Sequence, residues 1–246
     1  MLLKSVKYFV SINGRVEKVF RAFHHSLPLH IKLKLSRRFQ SAYTSLEDEN
    51  KIIFIHIPKA AGNGITQSLF GKPSSGHYFL QKYHDDDELK FKSYKKFTVV
   101  RNPWDRFVSA FHYLHSEKGG IGVWDNEFKK LYLKDIKTFK EFIDKMIADQ
   151  AYRKKVMNWT HFIPQTEFFI LNGNADLSLL DCVCRFEYIE SDFESLKSAL
   201  GKDASELKKV NKSQHNHFKD YYNEGYMVDF VGELYAEDIQ LLNYEY

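Results

Sequence analysis

The 246-residue chain is poor in cysteine and lacks long apolar runs. Its two cysteines, Cys182 and Cys184, stand two residues apart, too close along one strand to form an easy disulfide. We therefore expect two buried free thiols and not a disulfide-stapled secreted fold. No stretch reaches the ~18 consecutive apolar residues of a transmembrane helix. No apolar segment leads to a small-residue cleavage site, so a signal peptide is not expected.

The composition that remains is that of a globular protein. Hydrophobic residues make up 43% of the chain and charged residues 28%, which is ordinary for a soluble domain. The length allows one large α/β domain with a substantial core. Aromatic residues reach 16%, and we expect most of them to be core residues. Some aromatic side chains also suit a surface on which a sugar stacks.

The net charge of +4 hides an uneven distribution. Residues 1–39 contain nine Lys or Arg and a single acidic residue, Glu17, which gives this segment +8 and leaves −4 for the remainder. Its apolar residues have the spacing of an amphipathic helix. We therefore predict a basic amphipathic arm over residues 1–44 and a folded domain over residues 45–246. The arm either packs on the domain or adsorbs to an anionic membrane surface.

A strand, a loop of small residues and a helix follow one another at residues 51–70. The apolar run from Ile52 to Ile57 predicts a buried parallel strand that stops at Pro58. Residues 65–70 have room for a short helix with Gly71 as its stop. This order turns backbone N–H groups toward an anion, and Lys59 adds a full charge. We therefore predict a phosphate-binding loop at Lys59, Ala60, Ala61, Gly62, Asn63 and Gly64.

A second cationic motif follows the next predicted strand, which covers residues 97–100. Arg101 comes directly after that strand, with Asn102 as the N-cap and Pro103 in the first position of a helix. Phe107, Ala110, Phe111 and Leu114 form an apolar stripe on this helix, and Ser109 lies off it. Two anion sites at neighbouring strand ends suit a ligand that carries two separate phosphate groups.

A nucleotide-triphosphate site is the first alternative. That motif places its lysine at the end of the loop, followed by a hydroxyl that binds Mg²⁺, whereas Lys59 comes first here. Arg101 also stands where a metal-binding NTPase would have an aspartate. Both differences argue against a nucleotide-triphosphate site, and we expect no metal. A small-molecule kinase that shares the fold is kept as a rival.

The two motifs together resemble the carbohydrate sulfotransferases that use 3′-phosphoadenosine 5′-phosphosulfate (PAPS), the bacterial and Golgi-type sulfotransferase family 2. F-I-H-I-P-K-A-A-G-N-G is similar to the 5′-phosphosulfate loop of that family, and V-V-R-N-P-W-D-R-F-V-S-A to its 3′-phosphate motif. Weaker matches extend the resemblance to the C-terminus, at residues 161–165, 185–187, 211–213 and 234–238. The family usually has Ser or Thr where this loop has Asn63 and Gly64, so backbone N–H groups must replace hydroxyl contacts.

The resemblance implies an α/β, P-loop-like sulfotransferase fold with a central parallel sheet flanked by helices. It implies that Lys59 stabilises the phosphate leaving group, that Arg101 and Ser109 bind the 3′-phosphate, and that Lys212 belongs to the donor-binding residues. His77 follows the first helix in a Gly-His pair and is the candidate general base, with an exposed loop histidine as the alternative. His161 and Gln165 are weaker candidates for lining the site, and Arg185 is a candidate structural residue.

The expected reaction is transfer of the sulfuryl group from PAPS to a hydroxyl of a carbohydrate acceptor, without nucleic acid. A non-catalytic relative that binds glycans or membranes is the second alternative. Golgi relatives carry a membrane anchor near the N-terminus, and this sequence shows no apolar run of that length there. We therefore expect a bacterial, cytoplasmic enzyme with peripheral membrane contact through residues 1–39.

Four further expectations concern the remaining segments. Residues 119–136 are predicted to be an irregular, aromatic loop facing the acceptor, and residues 179–189 a central strand. Capping boxes at Thr138 and Ser191 predict two helix starts, the second helix ending at Gly201. Residues 211–223 are predicted to be a loop that closes over the donor.

Overall fold

Three parallel strands organise the fold. In the computed structural model their order is β1 (Ile52–Ile55), β2 (Lys95–Val100) and β5 (Cys182–Arg185), and both pairings are parallel. Ile55 lies opposite Thr98, and Val99 lies opposite Cys184. Parallel strands place their carboxyl ends at one edge of the sheet. The loops after Ile55, Val100 and Arg185 therefore meet, as the sequence predicted for the first two.

The structure describes residues 40–74, 76–117, 119–120, 122–202, 207 and 216–246. From Ala42 onward these belong to one unit, Ala42–Tyr246. The basic arm, apart from its last few residues, lies outside the described residues, as do Lys212 and the 211–213 match. The first five residues of the loop predicted to close over the donor, 211–215, lie outside them too, whereas residues 216–223 are described. The predicted boundary between residues 44 and 45 therefore stays a prediction.

Helices and short turns fill the connections. In chain order the helices are α1 (Ser45–Asn50), α2 (Gly62–Phe70), α3 (Leu80–Asp86), α4 (Glu88–Ser93), α5 (Pro103–His115), α6 (Val123–Phe128), α7 (Phe139–Ala148), α8 (Gln150–Met157), α9 (Ile189–Leu200), α10 (Gly225–Leu234) and α11 (Ala236–Leu242). A short antiparallel pair joins β3 (Ile170–Leu171) to β4 (Asn174–Ala175). Among the described residues, 3-10 turns lie at Thr166–Phe169, Leu177–Leu179, Phe186–Tyr188 and Phe218–Tyr221. The predicted parallel sheet flanked by helices is confirmed.

Local capping signals fixed several boundaries correctly. Asn102 accepts hydrogen bonds from the N–H groups of Trp104 and Asp105, and Pro103 opens α5. The hydroxyl of Thr138 accepts from the Glu141 N–H at the start of α7. Gly71 and Gly201 end α2 and α9 with positive φ angles of 66° and 64°, a conformation that glycine adopts without a Cβ penalty.

Three predictions about secondary structure are wrong. The strand β5 holds only four residues, because 3-10 turns flank it on both sides, and it lies at an edge of the three strands beside the central β2. The helix α9 begins at Ile189, since the Ser191 hydroxyl donates to the Tyr188 carbonyl at 2.9 Å and does not cap. Residues 123–133 are helical, with α6 continuing into a π-helical turn at Lys129–Leu133.

Aromatic side chains form much of the core, as expected. Phe54 stacks on Phe97 inside the sheet layer, with ring centroids 4.6 Å apart. A second group packs α5 against its neighbours: Phe107 lies 5.7 Å from Phe142 and 5.3 Å from Phe162. Such pairs each contribute about 0.5–1.5 kcal/mol beyond the area they bury. Within the described ranges, no helix has both the length and the apolar character to cross a membrane.

Candidate active site

The loop after β1 has the geometry of an anion cradle. Lys59 and Ala61 adopt left-handed backbone conformations, with φ angles of 71° and 62°. Left-handed residues in a tight turn aim successive N–H groups inward, and the first N–H groups of α2 have no partner within the helix. Because such conformations strain residues other than glycine, the loop needs a partner that holds it.

Arg101 holds the strained loop. Its Nη1 donates to the Lys59 carbonyl at 2.8 Å. Its Nε and Nη2 donate to the two carboxylate oxygens of Asp105, both at 2.8 Å, and its guanidinium lies 4.0 Å from the Phe186 ring centroid. These bonds use three of the five N–H groups of the side chain. Arg101 is buried, and most of its N–H groups are bonded to the protein. Two N–H groups are left for a ligand.

Gly62 brings the loop and strand β1 into close contact. A Cβ at this position would lie 2.3 Å from His56 Cδ2 and 2.8 Å from Phe54 Cζ, closer than any side chain tolerates. Burial lowers the pKa of His56 to about 3, so its neutral ring packs here as an apolar surface. The Gly64 N–H donates to the Ala61 carbonyl at 2.9 Å, so this predicted donor is already used within the turn. The Asn63 side chain is exposed and Ala60 is buried.

Lys59 carries the charge of the cradle. Its Nζ lies 4.0 Å from the ring centroid of Tyr113 on α5, in cation–π geometry. Burial and, to a smaller extent, the charge of Arg101 lower the pKa of Lys59 to about 8, and Asp125 opposes both. The side chain therefore remains mostly an ammonium at neutral pH and loses its charge above about pH 8.

Ser109 lies on the α5 face that carries Asp105 one turn earlier. Its side chain is buried, and its hydroxyl has no hydrogen-bond partner among the described residues. Leaving a buried hydroxyl unpaired costs about 1–3 kcal/mol, so such a group calls for an explanation. A ligand oxygen beside Arg101 would provide the missing partner.

His77, the predicted general base, packs against His56, which follows β1 and precedes the cradle. Its Nδ1 is 2.9 Å from the carbonyl oxygen of His56, and its ring centroid is 4.2 Å from that of His56. A carbonyl can only accept, so Nδ1 carries the proton and the lone pair stays on Nε2. His84, the other histidine of this segment, contacts Asp85 and Phe91 on α3 and α4 instead.

Tyr113 and Asp125, which sequence reasoning missed, lie with the weaker candidate His161 around the Lys59 ammonium. Asp125 on α6 lies 3.2 Å from His161 Nε2 and accepts from the Tyr113 hydroxyl at 3.2 Å. The His161 ring centroid is 6.3 Å from that of His77. Tyr113 could have been found from its position four residues after Ser109, on the same helical face. No local signal pairs Asp125 with either partner.

Gln165, a weaker candidate for lining the site, and Arg185, the candidate structural residue, both hydrogen-bond to backbone groups. The Gln165 side chain accepts from the Arg101 N–H at 2.9 Å and donates to the Arg101 carbonyl at 2.8 Å. Gln165 thus fixes Arg101 and is itself fully buried. Arg185 stacks on Tyr244 and donates to the Leu242 carbonyl, which is a structural contact.

Two buried charges join the segments that support the cradle. Arg106 Nε donates to the Pro58 carbonyl at 3.1 Å, and its Nη2 donates to the Ile163 carbonyl at 2.8 Å. The Asp238 carboxylate accepts from the N–H groups of Gln165 and Thr166, both at 2.8 Å. Within the described part of the chain, no three His, Cys, Asp or Glu residues are placed to hold a metal ion. The expectation of a metal-free reaction stays a prediction.

Fold and site together define a class of protein. A parallel sheet, a strained lysine-bearing loop before a helix N-terminus, and an arginine and serine after the next strand are consistent with a P-loop-like transferase fold. The chain belongs to the sulfotransferase family, whose sequence model matches residues 43–245. This confirms the predicted family and supports a sulfotransferase activity. No match was found among curated proteins or among solved structures.

Proposed function

We propose that the protein transfers the sulfuryl group of PAPS to a hydroxyl of a carbohydrate acceptor. The observation that carries this proposal is the pair of anion-binding sets at neighbouring strand ends. Lys59 and the loop follow β1, whereas Arg101 and Ser109 follow β2. A donor with phosphate groups on both its 5′ and its 3′ side needs two such sets.

The residues present fit that donor. Lys59 supplies one full positive charge, and the N–H groups at the start of α2 supply neutral donors for the 5′ side. On the 3′ side, the buried Ser109 hydroxyl has no hydrogen-bond partner in the described part of the chain, and Arg101 has two N–H groups beyond the three that bond there. Ala60, Ala61, Gly62, Asn63 and Lys212 remain proposed donor-binding residues, and Gly64 serves the turn.

The chemistry asks for little covalent work from the chain. The acceptor oxygen forms a bond to sulfur while the bond between sulfur and the 5′-phosphate oxygen breaks, and the acceptor proton moves to His77 Nε2. Lys59 stabilises the charge that develops on the departing phosphate oxygen. Positioning and charge stabilisation therefore supply most of the rate, as they do in phosphoryl transfer.

A direct assay tests the proposal. The protein is incubated with PAPS and with oligosaccharides and glycolipids of defined structure, and mass spectrometry detects the addition of a sulfuryl group. We expect transfer to at least one acceptor without added metal. Transfer of a phosphoryl group from ATP with Mg²⁺, and none from PAPS, would favour the kinase alternative. Acceptor binding without any transfer would favour the non-catalytic alternative.

Replacing His77 by alanine tests the proposed general base. We expect kcat to fall about 10²-fold, the lower end for a group that moves a proton, since His161 lies nearby as a second imidazole. Donor affinity should change little, because the base acts on the acceptor. Steady-state kinetics and donor titration measure the two effects separately. His84→Ala is the matched control from the same segment, and a larger loss in that variant would show that the base is misassigned.

We also propose that residues 1–39 bring the enzyme to an anionic membrane surface from the cytoplasm. The support is the charge of this segment, +8, on a chain whose remainder carries −4. A Lys or Arg near an anionic leaflet contributes about 1 kcal/mol.

Deleting residues 1–39 tests the membrane contact. We expect the shortened protein to lose its co-flotation with phosphatidylserine vesicles, because it loses its excess positive charge. Transfer to a water-soluble acceptor should be unchanged. Neutral phosphatidylcholine vesicles are the control. A shortened protein that is insoluble would show instead that the segment covers the domain.

A further inference from the structure

Asp125 occupies a position that the proposed reaction does not yet explain. Its side chain is largely buried, and it receives two hydrogen bonds from different elements. One comes from the Tyr113 hydroxyl on α5, and the other from His161 Nε2 in the segment after α8. Tyr113 borders Lys59, whose Nζ rests 4.0 Å from the ring centroid, and His161 is close enough for the charge of Lys59 to act on it. Asp125 thus joins three chain segments around the one charged group of the cradle.

The hydrogen bond to Asp125 also determines the tautomer and the orientation of the His161 ring. The His161 Nδ1 is buried and has no partner among the described residues. The imidazole is therefore oriented through Nε2, which carries the proton when it donates to a carboxylate. A carboxylate that fixes the tautomer and the orientation of an imidazole is a common device of active sites. Removing the carboxylate would leave both ring nitrogens of His161 without a partner.

The charges that face Lys59 come from every element packed against it. Arg101 follows β2 and repels the ammonium, and the same is true of His161 when that ring is protonated. The α5 helix presents the neutral ring of Tyr113, whose pKa burial and Asp125 raise to about 12. The helix α6 presents the carboxylate of Asp125, which favours the charged form of Lys59. Asp105 is held by Arg101 in a bidentate pair.

We propose that Asp125 is a positioning residue of the sulfuryl-transfer site, which holds Tyr113 and His161 in place beside Lys59 and supplies negative charge to its ammonium. The inference rests on the proposed function, since it assigns Asp125 to the site that Lys59 defines. It adds the helix α6 to a site that the sequence motifs placed only after β1 and β2.

This role has a consequence for the pH dependence. Lys59 must be protonated to stabilise the leaving group, and its pKa of about 8 predicts that activity falls as the pH rises through that value. Asp125 raises the pKa of Lys59 against burial and Arg101. Replacing Asp125 by a neutral residue therefore lowers the pKa, and the alkaline limb of the profile moves to lower pH.

The test compares Asp125→Asn with Glu127→Gln. Both changes remove one negative charge from α6 and keep the shape of the side chain, but the hydrogen bonds from Tyr113 and His161 go to Asp125, and the charge of Glu127 acts on Tyr132. The first readout is the pH profile of kcat/KM. The second is the reactivity of the Lys59 amine toward acetic anhydride as a function of pH, followed by peptide mass spectrometry on the resting protein.

We expect Asp125→Asn to lower kcat about 10²-fold, the loss that a small misplacement of a reacting group causes. Its alkaline limb and its Lys59 labelling curve should both move to lower pH, whereas those of Glu127→Gln should match the wild type. Tyr113→Phe keeps the ring under Lys59 and the carboxylate, so it should lower kcat with a smaller movement of the labelling curve. This second variant keeps the test valid if Asp125→Asn does not fold.

The outcomes separate the inference from the proposed function. An unchanged Lys59 labelling curve in folded Asp125→Asn would overturn the role of Asp125, whatever the activity. A shifted labelling curve in a protein that never transfers a sulfuryl group would support the coupling of Asp125 to Lys59 and overturn the proposed function instead. Equal effects of Asp125→Asn and Glu127→Gln would show that Asp125 contributes only its negative charge, which would overturn its role as a positioning residue.

Discussion

Replacing Lys59 by alanine is expected to lower kcat about 10³–10⁵-fold. The nearest measured analogue is the arginine finger of phosphoryl transfer, which likewise offers one full charge to oxygens around the transferred group. In the loop of this protein, residues 60–64 are small and neutral, so no neighbour within it can replace the ammonium. Donor affinity should fall less than kcat, because charge develops on the leaving oxygen only as the reaction proceeds.

The folded state should tolerate this change. Lys59 is largely buried and makes no ion pair with the residues that the structure describes, and burial already disfavours its charge, as its lowered pKa shows. The temperature of thermal unfolding should therefore stay the same or rise slightly. Lys59→Met is the matched variant that keeps the packing on Tyr113, and Lys72→Ala is the control, since Lys72 pairs with Glu49 at the surface. If Lys59→Ala keeps most of its activity, Lys59 does not stabilise the leaving group.

The sequence predicted those parts of the site that local signals encode. An apolar run and a proline mark the end of β1, and Asn102 and Pro103 mark the start of α5, so Lys59 and Arg101 could be placed at neighbouring strand ends. The positions of such residues follow from strand direction, because the carboxyl ends of parallel strands lie at one edge of the sheet. For the same reason the family could be named from two short motifs.

The contacts between distant segments could not be predicted. Asp125 meets His161 across 36 positions, and Gln165 meets Arg101 across 64. No periodicity or spacing relates such residues, since their approach depends on how helices pack. The short length of β5 was missed because its apolar run is longer than the strand, and the 3-10 turns at both ends are not visible in a hydrophobic pattern. Its edge position was missed because strand order depends on packing between distant segments.

The structure also changes what a mutation of Arg101 can reveal. Its guanidinium holds the Lys59 carbonyl and neutralises Asp105, so Arg101→Ala would disturb the 5′ loop and leave a buried carboxylate unpaired. We expect this variant to lose affinity for every adenine nucleotide. Ser109 is the better probe of the 3′ side, because its hydroxyl makes no hydrogen bond to the described protein.

If Arg101 and Ser109 bind a 3′-phosphate, the wild type must prefer 3′-phosphoadenosine 5′-phosphate to AMP, which lacks only that group. A hydrogen bond to a charged group contributes about 1.5–3 kcal/mol, so two predict a preference on the order of 10²–10⁴. Ser109→Ala should lower the preference by a factor on the order of 10–10², with AMP affinity unchanged. Its thermal stability should stay level or rise, because the variant no longer buries an unpartnered hydroxyl.

Ser68→Ala provides the opposite pattern and serves as the control. The Ser68 hydroxyl is buried like that of Ser109, but it donates to the Gly64 carbonyl at 2.8 Å. We therefore expect this variant to lose stability and to keep the full 3′-phosphate preference. Isothermal titration with 3′-phosphoadenosine 5′-phosphate, AMP, and ATP with and without Mg²⁺ measures each affinity. A kinase-like site would bind ATP with Mg²⁺ best, and equal wild-type affinities for the first two nucleotides would rule out PAPS as the donor.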